Sequence, residues 1–391
     1  MEPLWILLPT GQRRSGEWID DTLAQRAAET GMQAKWPLAG DFPRQRVEVV
    51  RGDDPYAIVN EQFYRRGWTD GLPIVPPTLG RVEAAVHASG RSPQEIIAEM
   101  DPLGGVATVE KIAANAVMAG CIPEAMPAVI AALEAIADPA FNLRGVQTTD
   151  ENVAPLLIVN GPLASALDIH GGCGALGPGW RGNASIGRAI RLLMNNIGGG
   201  WPVVVSFAGL GQPARYTLCF AEDESASPWE PLHVELGFAP EDSTVTVLRA
   251  ETAINVTGGL PELGSVMASA ASGFTMLHEG KVAVIIAPFV ANRLAAAGYS
   301  KADVKAQLRE CARMPREQWK ESWLHTANGA RRNWPSWVLE AAKEASIPVL
   351  RSAEDITLVV AGADVPIPQC AFFPSWGFPP CRVTKRIAPP I

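Results

Sequence analysis

The chain has 391 residues, enough for one large domain or two, with 47% hydrophobic and 19% charged residues and a formal net charge of −8. That balance excludes a broad nucleic-acid footprint and fits a soluble protein, yet leaves room for one positive pocket that takes an acidic ligand. No apolar run approaches the roughly 18–20 residues that span a bilayer, and the apolar start of "MEPLWILLPTG" has no basic leader. Neither a membrane segment nor a signal peptide is expected. Six dispersed cysteines without a CxxC pair then read as free thiols in a reducing cytoplasm.

In chain order, "PLWILLPTG" reads as a buried strand, "EWIDDTLAQRAAETG" as a helix stopped by Gly31, and "QRVEVV" as a second strand. A boundary follows, giving an N-terminal strand–helix–strand extension over residues 1–52 and a main domain over residues 53–391. "DDPYAIVNEQFYRRG" has Asp54 to cap a helix, Pro55 for its first turn and Gly67 for its left-handed end. After it, "WTDGLPIVPPT" is stiffened by its prolines into an extended connector that presents Trp68 and Asp70 at fixed places. It suits a pocket rim, an arm across a partner subunit or a rigid strap between elements.

"RVEAAVHASG" is a short helix, and "SPQEIIAEM" carries a capping box from Ser92 to Glu95, which predicts another. Two alanine-rich helices follow, "TVEKIAANAVMAG" and "PEAMPAVIAALEAIA", then the strand "APLLIVNGP". "GNASIGRAIRLLMNNIG" is a helix that Asn183 or Ser185 could cap. "WPVVVSF", "RYTLCFAED", "LHVELGF" and "STVTVLRAE" read as consecutive strands, so the centre leans antiparallel. "KVAVIIAPF" is a buried strand, "ANRLAAAG" a helix, Ser300 to Asp303 a second capping box, and "DITLVVAGA" the last clear strand. No repeat of regular period is visible. The fold class expected is mixed α/β, with parallel strand–helix elements flanking a more antiparallel centre.

The glycine cluster "HGGCGALGPGWRGNASIGR", residues 170–188, holds a literal G-x-G-x-x-G at Gly172, Gly174 and Gly177. No strand directly precedes it, Pro178 breaks the helix it would need, and no acidic residue follows at the required distance, which argues against a dinucleotide. Glycines that let the backbone approach a ligand, followed by a helix N-terminus, suit an anion instead. Arg181 and Arg188 add positive charge, and Asn183 and Ser185 add hydrogen-bonding groups. His170 and Cys173, three apart, are too few for a metal unless Cys121 or His233 joins them. No cofactor is expected, with a metal ion the less favoured alternative.

Past the strand "LCFAED", Glu222, Asp223 and Glu224 precede Glu230 and His233, residue types suited to acid–base work, although a solvated acidic turn has the same composition. Lys111 and Asn115, four apart, share one face of an apolar helix, where polar groups must be paired or face a cavity. Asn160 sits at the carboxyl end of a strand, where α/β sites form. Trp319, Trp323, Trp334 and Trp337 fall within nineteen residues, a pattern of core or subunit contact.

From about residue 55 to the C-terminus, the phrases "RGWTDGLPIVPP", "ATVEKIAANAVMAGCIPE", "GALGPGWRGNASIGRAIRL" and "SPWEPLHVELGF" resemble a poorly characterised bacterial family. Its members are fused to, or lie beside, UGSC-type (seleno)proteins, whose cysteine or selenocysteine motif is like that of the glycine- and proline-reductase selenoproteins. The resemblance implies a thiol or selenol partner, but this chain has no UGSC tetrapeptide of its own. The residues themselves point to a cytoplasmic enzyme or enzyme subunit acting on a small carboxylate- or phosphate-bearing molecule by lyase- or hydratase-like proton transfer. In that reading Lys111, Glu230 or His233 moves protons, Trp68, Asp70, Asn115, Asn160 and the glycine loop bind substrate, and no nucleic acid or membrane is involved. The alternatives are a non-catalytic partner of a thiol or selenol redox protein, with oligomer contacts through the tryptophans, and a reductase using Cys173 or Cys121.

Overall fold

The computed structural model describes residues 4–9, 47–326 and 333–389; the helix expected to end at Gly31 lies outside them. Strand β1 (Leu4–Leu7) pairs antiparallel with β2 (Val47–Val50). Helix α1 (Pro55–Arg65) starts where expected, with Asp54 accepting from the Ala57 N–H, and the chain leaves it through Gly67 at φ 72°. Helix α2 (Leu79–Ser89) follows the connector.

"SPQEIIAEM" is not a helix. It forms β3 (Ile96–Met100), paired antiparallel with β4 (Gly105–Thr108). Glu95 turns its carboxylate to the Arg91 guanidinium, so the box is never completed, and the partner strand β4, whose Thr108 lies opposite Ile96, takes the backbone. Helices α3 (Val109–Ala119) and α4 (Met126–Ala137) are the two alanine-rich helices, and nearly every residue of both is buried. Small side chains let them pack closely with each other and with their neighbours. Among the described residues no single helix is long and apolar enough to cross a membrane.

The chain then runs through α5 (Leu143–Thr148), β5 (Ala154–Asn160), α6 (Pro162–Ala166), α7 (Arg181–Asn196), β6 (Cys219–Ala221), α8 (Leu232–Glu235), β7 (Thr244–Ala250) and β8 (Ile254–Thr257). Two expected strands fail here. "WPVVVSF" is a turn, with Val203 at φ 68° and its N–H bonded to the Ser206 carbonyl. "LHVELGF" is a single helical turn, because the buried Glu222 carboxylate accepts the Leu232 N–H at its start. The remainder comprises α9 (Leu260–Met267), α10 (Gly273–His278), β9 (Val282–Ile286), α11 (Pro288–Ala296), α12 (Lys301–Cys311), β10 (Arg313–Pro315), three short helices α13–α15 (Arg316–Glu321, Trp323–Thr326, Ser336–Ala341), β11 (Ser346–Pro348) and β12 (Ile356–Val360). The Ser300–Asp303 capping box forms as expected. Two further strands, β13 (Gln369–Phe373) and β14 (Val383–Arg386), follow the last one legible in the sequence.

The fold is mixed α/β. Two four-stranded sheets, in the orders β14-β7-β5-β6 and β12-β9-β13-β8, each hold one parallel pair and antiparallel neighbours. Side chains alternate across each strand, so one face of each sheet meets the other in a shared core. Leu156, Ile158 and Leu248 there touch the layer of Ile285, Val359 and Phe373. The opposite faces carry helices, α4 and α7 over the first sheet and α9 and α12 over the second.

The element order is written twice. In the first half α4, α5, β5, α6, α7, β6, β7 and β8 occur in that order, with α8 between β6 and β7; in the second, α9, α10, β9, α11, α12, β12, β13 and β14 match it, with β10, α13–α15 and β11 between α12 and β12. Both central strands run into a proline-started helix, "LLIVNGPLASAL" and "AVIIAPFVANRL". The closing strands are exchanged, since β8 joins the second sheet and β14 the first. The two halves share no sequence period, so their correspondence shows only in the folded chain.

Candidate functional site

The parallel pair β5–β6 runs out into the polar side chains Asn160 and Glu222, whereas β9 and β12 end in the apolar pair Ile286 and Val360. Of these two parallel pairs, β5–β6 is the one that presents polar groups at its end. Asn160, fully buried, donates through Nδ2 to Glu222 Oε2 at 2.7 Å and to Glu224 Oε1 at 2.9 Å. Glu224 also accepts the Gly161 N–H, and its Oε1 lies 3.7 Å from Nδ1 of the buried His233. Burial raises the Glu222 carboxyl above its usual range, opposed by the charge of Lys301. Glu222 Oε1, Asn160 Oδ1 and His233 Nδ1 are buried without a hydrogen-bond partner among the described residues, which sets the cluster apart from an ordinary satisfied core.

The second half contributes a charged neighbour. Lys301 and Lys305, both buried on α12, bind the two oxygens of Glu235, and Lys301 also donates to the Glu230 carbonyl. Glu230 itself is exposed, so of the expected proton carriers beyond the strand only His233 joins the cluster. Neither lysine carries a motif; only the fold brings them here.

The glycine loop begins against this cluster. The Ala221 N–H donates to the His170 carbonyl, and a Cβ on Gly171 would strike the backbone of residues 221–223. Asn183 does not cap α7, which starts at Arg181 after Trp180. Instead it ties the loop, donating to the carbonyls of His170 and Ala175 and accepting the His170 N–H. The Ser185 hydroxyl turns back to the Arg181 carbonyl. Gly172 lies against the His170 ring; Gly174, at φ 77°, and Cys173 are exposed. His170 Nε2 is bonded to the Cys173 carbonyl, and among the described residues no group of three or more His, Cys, Asp or Glu could hold a metal.

A cleft of about 540 Å³ opens where the loop enters α7, lined by Ile122, Leu167, Asp168, Trp180, Arg181 and Ser185 among others. Arg181 is exposed, and its side chain pairs with none of the described residues. Asp168 sits on the rim in the left-handed region at φ 54°, a conformation non-glycine residues hold mainly where surrounding structure compels it. The first turn of α7 lines the same space, and a helix start, with N–H groups that have no intrahelical acceptor and the positive end of the dipole, favours an anion. Asp168 and Trp180 stand out only in the folded chain; nothing about "ALDIH" or "GPGWRG" sets them apart.

Arg188 is elsewhere. Its guanidinium grips Asp70 at 2.7 and 2.8 Å and donates to the Pro73 carbonyl, so it fastens the proline connector rather than facing the cleft. The connector is further tied by Asn60 to Ile74 and by the Leu7 N–H to the Pro77 carbonyl, and Trp68 is a core side chain edge-on to Phe63. Lys111 Nζ donates to the Leu8 carbonyl and Asn115 Nδ2 to that of Pro9. Asn196 closes this network onto Asn115 Oδ1 and the Trp68 carbonyl. Trp68, Asp70, Lys111, Asn115 and Arg188 thus form one structural lattice joining β1, the connector and α7, apart from the cleft. Of the tryptophan group, Trp319 and Trp334 are core and in contact, while Trp323 is exposed.

No protein-family model matches the chain, and no curated protein does.

Proposed function

We propose that the chain is a cytoplasmic enzyme or enzyme subunit that binds a small anion in the cleft beside Arg181 and moves a proton on it, as in a lyase or hydratase. The observation that carries this reading is the unpaired Arg181 guanidinium lining an open cleft at the start of a 16-residue helix, where charge and backbone N–H groups act together on an anion. Asp168 is the proton-transfer group on the rim. The cluster of Asn160, Glu222, Glu224 and His233, reached through the segment that runs from His170 to Gly172, is its buried polar support. A direct test is exchange of substrate C–H for deuterium in D2O, followed by NMR over a panel of small carboxylates. Exchange that is lost in Asp168→Asn, with binding lost in Arg181→Ala but kept in Arg188→Ala, supports the reading. Binding indifferent to Arg181 sinks it.

A second reading rests on Cys173, which is exposed in the glycine loop beside exposed Leu176. That accessible thiol suits contact with a thiol or selenol partner protein, and mixed-disulfide trapping dependent on Cys173 would favour it.

A further inference from the structure

Trp180 is held in place before any ligand arrives. Its ring is stacked face to face on His170, with centroids 3.6 Å apart and planes 2° from parallel, and His170 is fixed in turn through Nε2 to the Cys173 carbonyl. One face of the indole is therefore covered, and the face left for a ligand is the other. Trp180 lines the cleft next to Arg181, with Ile122, Ala125, Leu167 and Ala184 supplying apolar wall. An indole fixed this way offers a flat surface at little cost in side-chain entropy. Asp168, on the same rim, opposes any second negative charge.

Resting on the anion-binding reading above, we infer that the ligand is a planar, unsaturated ring carrying a single carboxylate, stacked on Trp180 with its carboxylate on Arg181. A saturated ring of the same size fills the volume but presents hydrogens rather than a π face. A dianion such as phosphate gains at Arg181 and loses at Asp168. The cleft volume is in the range that encloses a ligand of this size.

Isothermal titration of the full chain with benzoate, cyclohexanecarboxylate, acetate and inorganic phosphate tests this. The expected order has benzoate about five-fold tighter than cyclohexanecarboxylate and tighter than phosphate. Trp180→Leu, checked by circular dichroism for an intact fold, should bring the two ring acids within two-fold of each other. Trp180→Phe should keep the preference, whereas a merely structural Trp180 would leave the ratio unchanged in Trp180→Leu as well. Equal binding of the two ring acids, with Arg181→Ala still abolishing both, overturns the ring inference and leaves the anion reading standing. Tighter binding of phosphate overturns the single-charge inference. If none of the four binds, the anion reading falls and takes this inference with it.

Discussion

Arg188 and Asp70 form a two-pronged ion pair across 118 positions of chain, Nε to Oδ2 at 2.7 Å and Nη2 to Oδ1 at 2.8 Å, with only 14% and 3% of the two side chains exposed. A planar fork on a carboxylate fixes direction as well as distance. The pair holds the proline connector to α7, the helix whose first turn carries Arg181.

Removing one partner leaves the other charge nearly buried and unpaired. Arg188→Ala or Asp70→Ala should each lower unfolding stability by about 3 kcal/mol, and the double variant should lose clearly less than the sum. Urea denaturation in a double-mutant cycle measures this. Additive losses would mean the pair is not coupled and the connector is held by its other bonds alone.

The pH dependence of stability should trace in part to Glu251, at the crossing where the chain leaves the first sheet for the second. Burial, and then the charge of Glu151, pushes its carboxyl from 4.5 up to about 8. The folded state therefore holds a proton that the unfolded chain has released between those values. This contribution is complete below about pH 4.5 and is lost as pH rises towards about 8, up to about 1.4 kcal/mol for each pH unit crossed. Glu251→Gln, which stays neutral, should flatten that part of the curve and be the more stable form at pH 8. Thermal melts from pH 5 to 8 check it; an unchanged slope would refute the assignment.

Thiol reactivity should single out one cysteine. Cys173 is exposed, whereas burial pushes Cys121, Cys219 and Cys370 up to about 12, leaving almost no thiolate at neutral pH. A disulfide reagent should label the native protein with a fastest phase that disappears in Cys173→Ser, the half-buried Cys311 reacting more slowly. Fast labelling of Cys121 would instead revive it as a nucleophile.

Much of the architecture was written locally. Asp54, Thr108 and the Ser300–Asp303 box mark three helix starts, and runs such as "APLLIVN" and "VAVII" mark buried strands, because caps and hydrophobic period act over a few residues. The errors fell where a distant partner overrode a local signal. Arg91 drew Glu95 away from its box beside a strand pairing, and Glu222 capped a helical turn in a stretch of strand-like alternation. The candidate site divided in the same way. The glycine loop, Arg181 and Asn160 could be chosen from their neighbours in the chain, but Arg188 and Lys111 looked equally suitable.

The sequence by itself determined the mixed α/β class, several helix starts and the position of the loop, since each depends on neighbours a few residues apart. Only the tertiary structure decided which charges are spent. A guanidinium is the same group at 181 and at 188, and it is the carboxylate of Asp70, carried in from a segment more than a hundred residues away, that neutralises one and leaves the other facing the cleft.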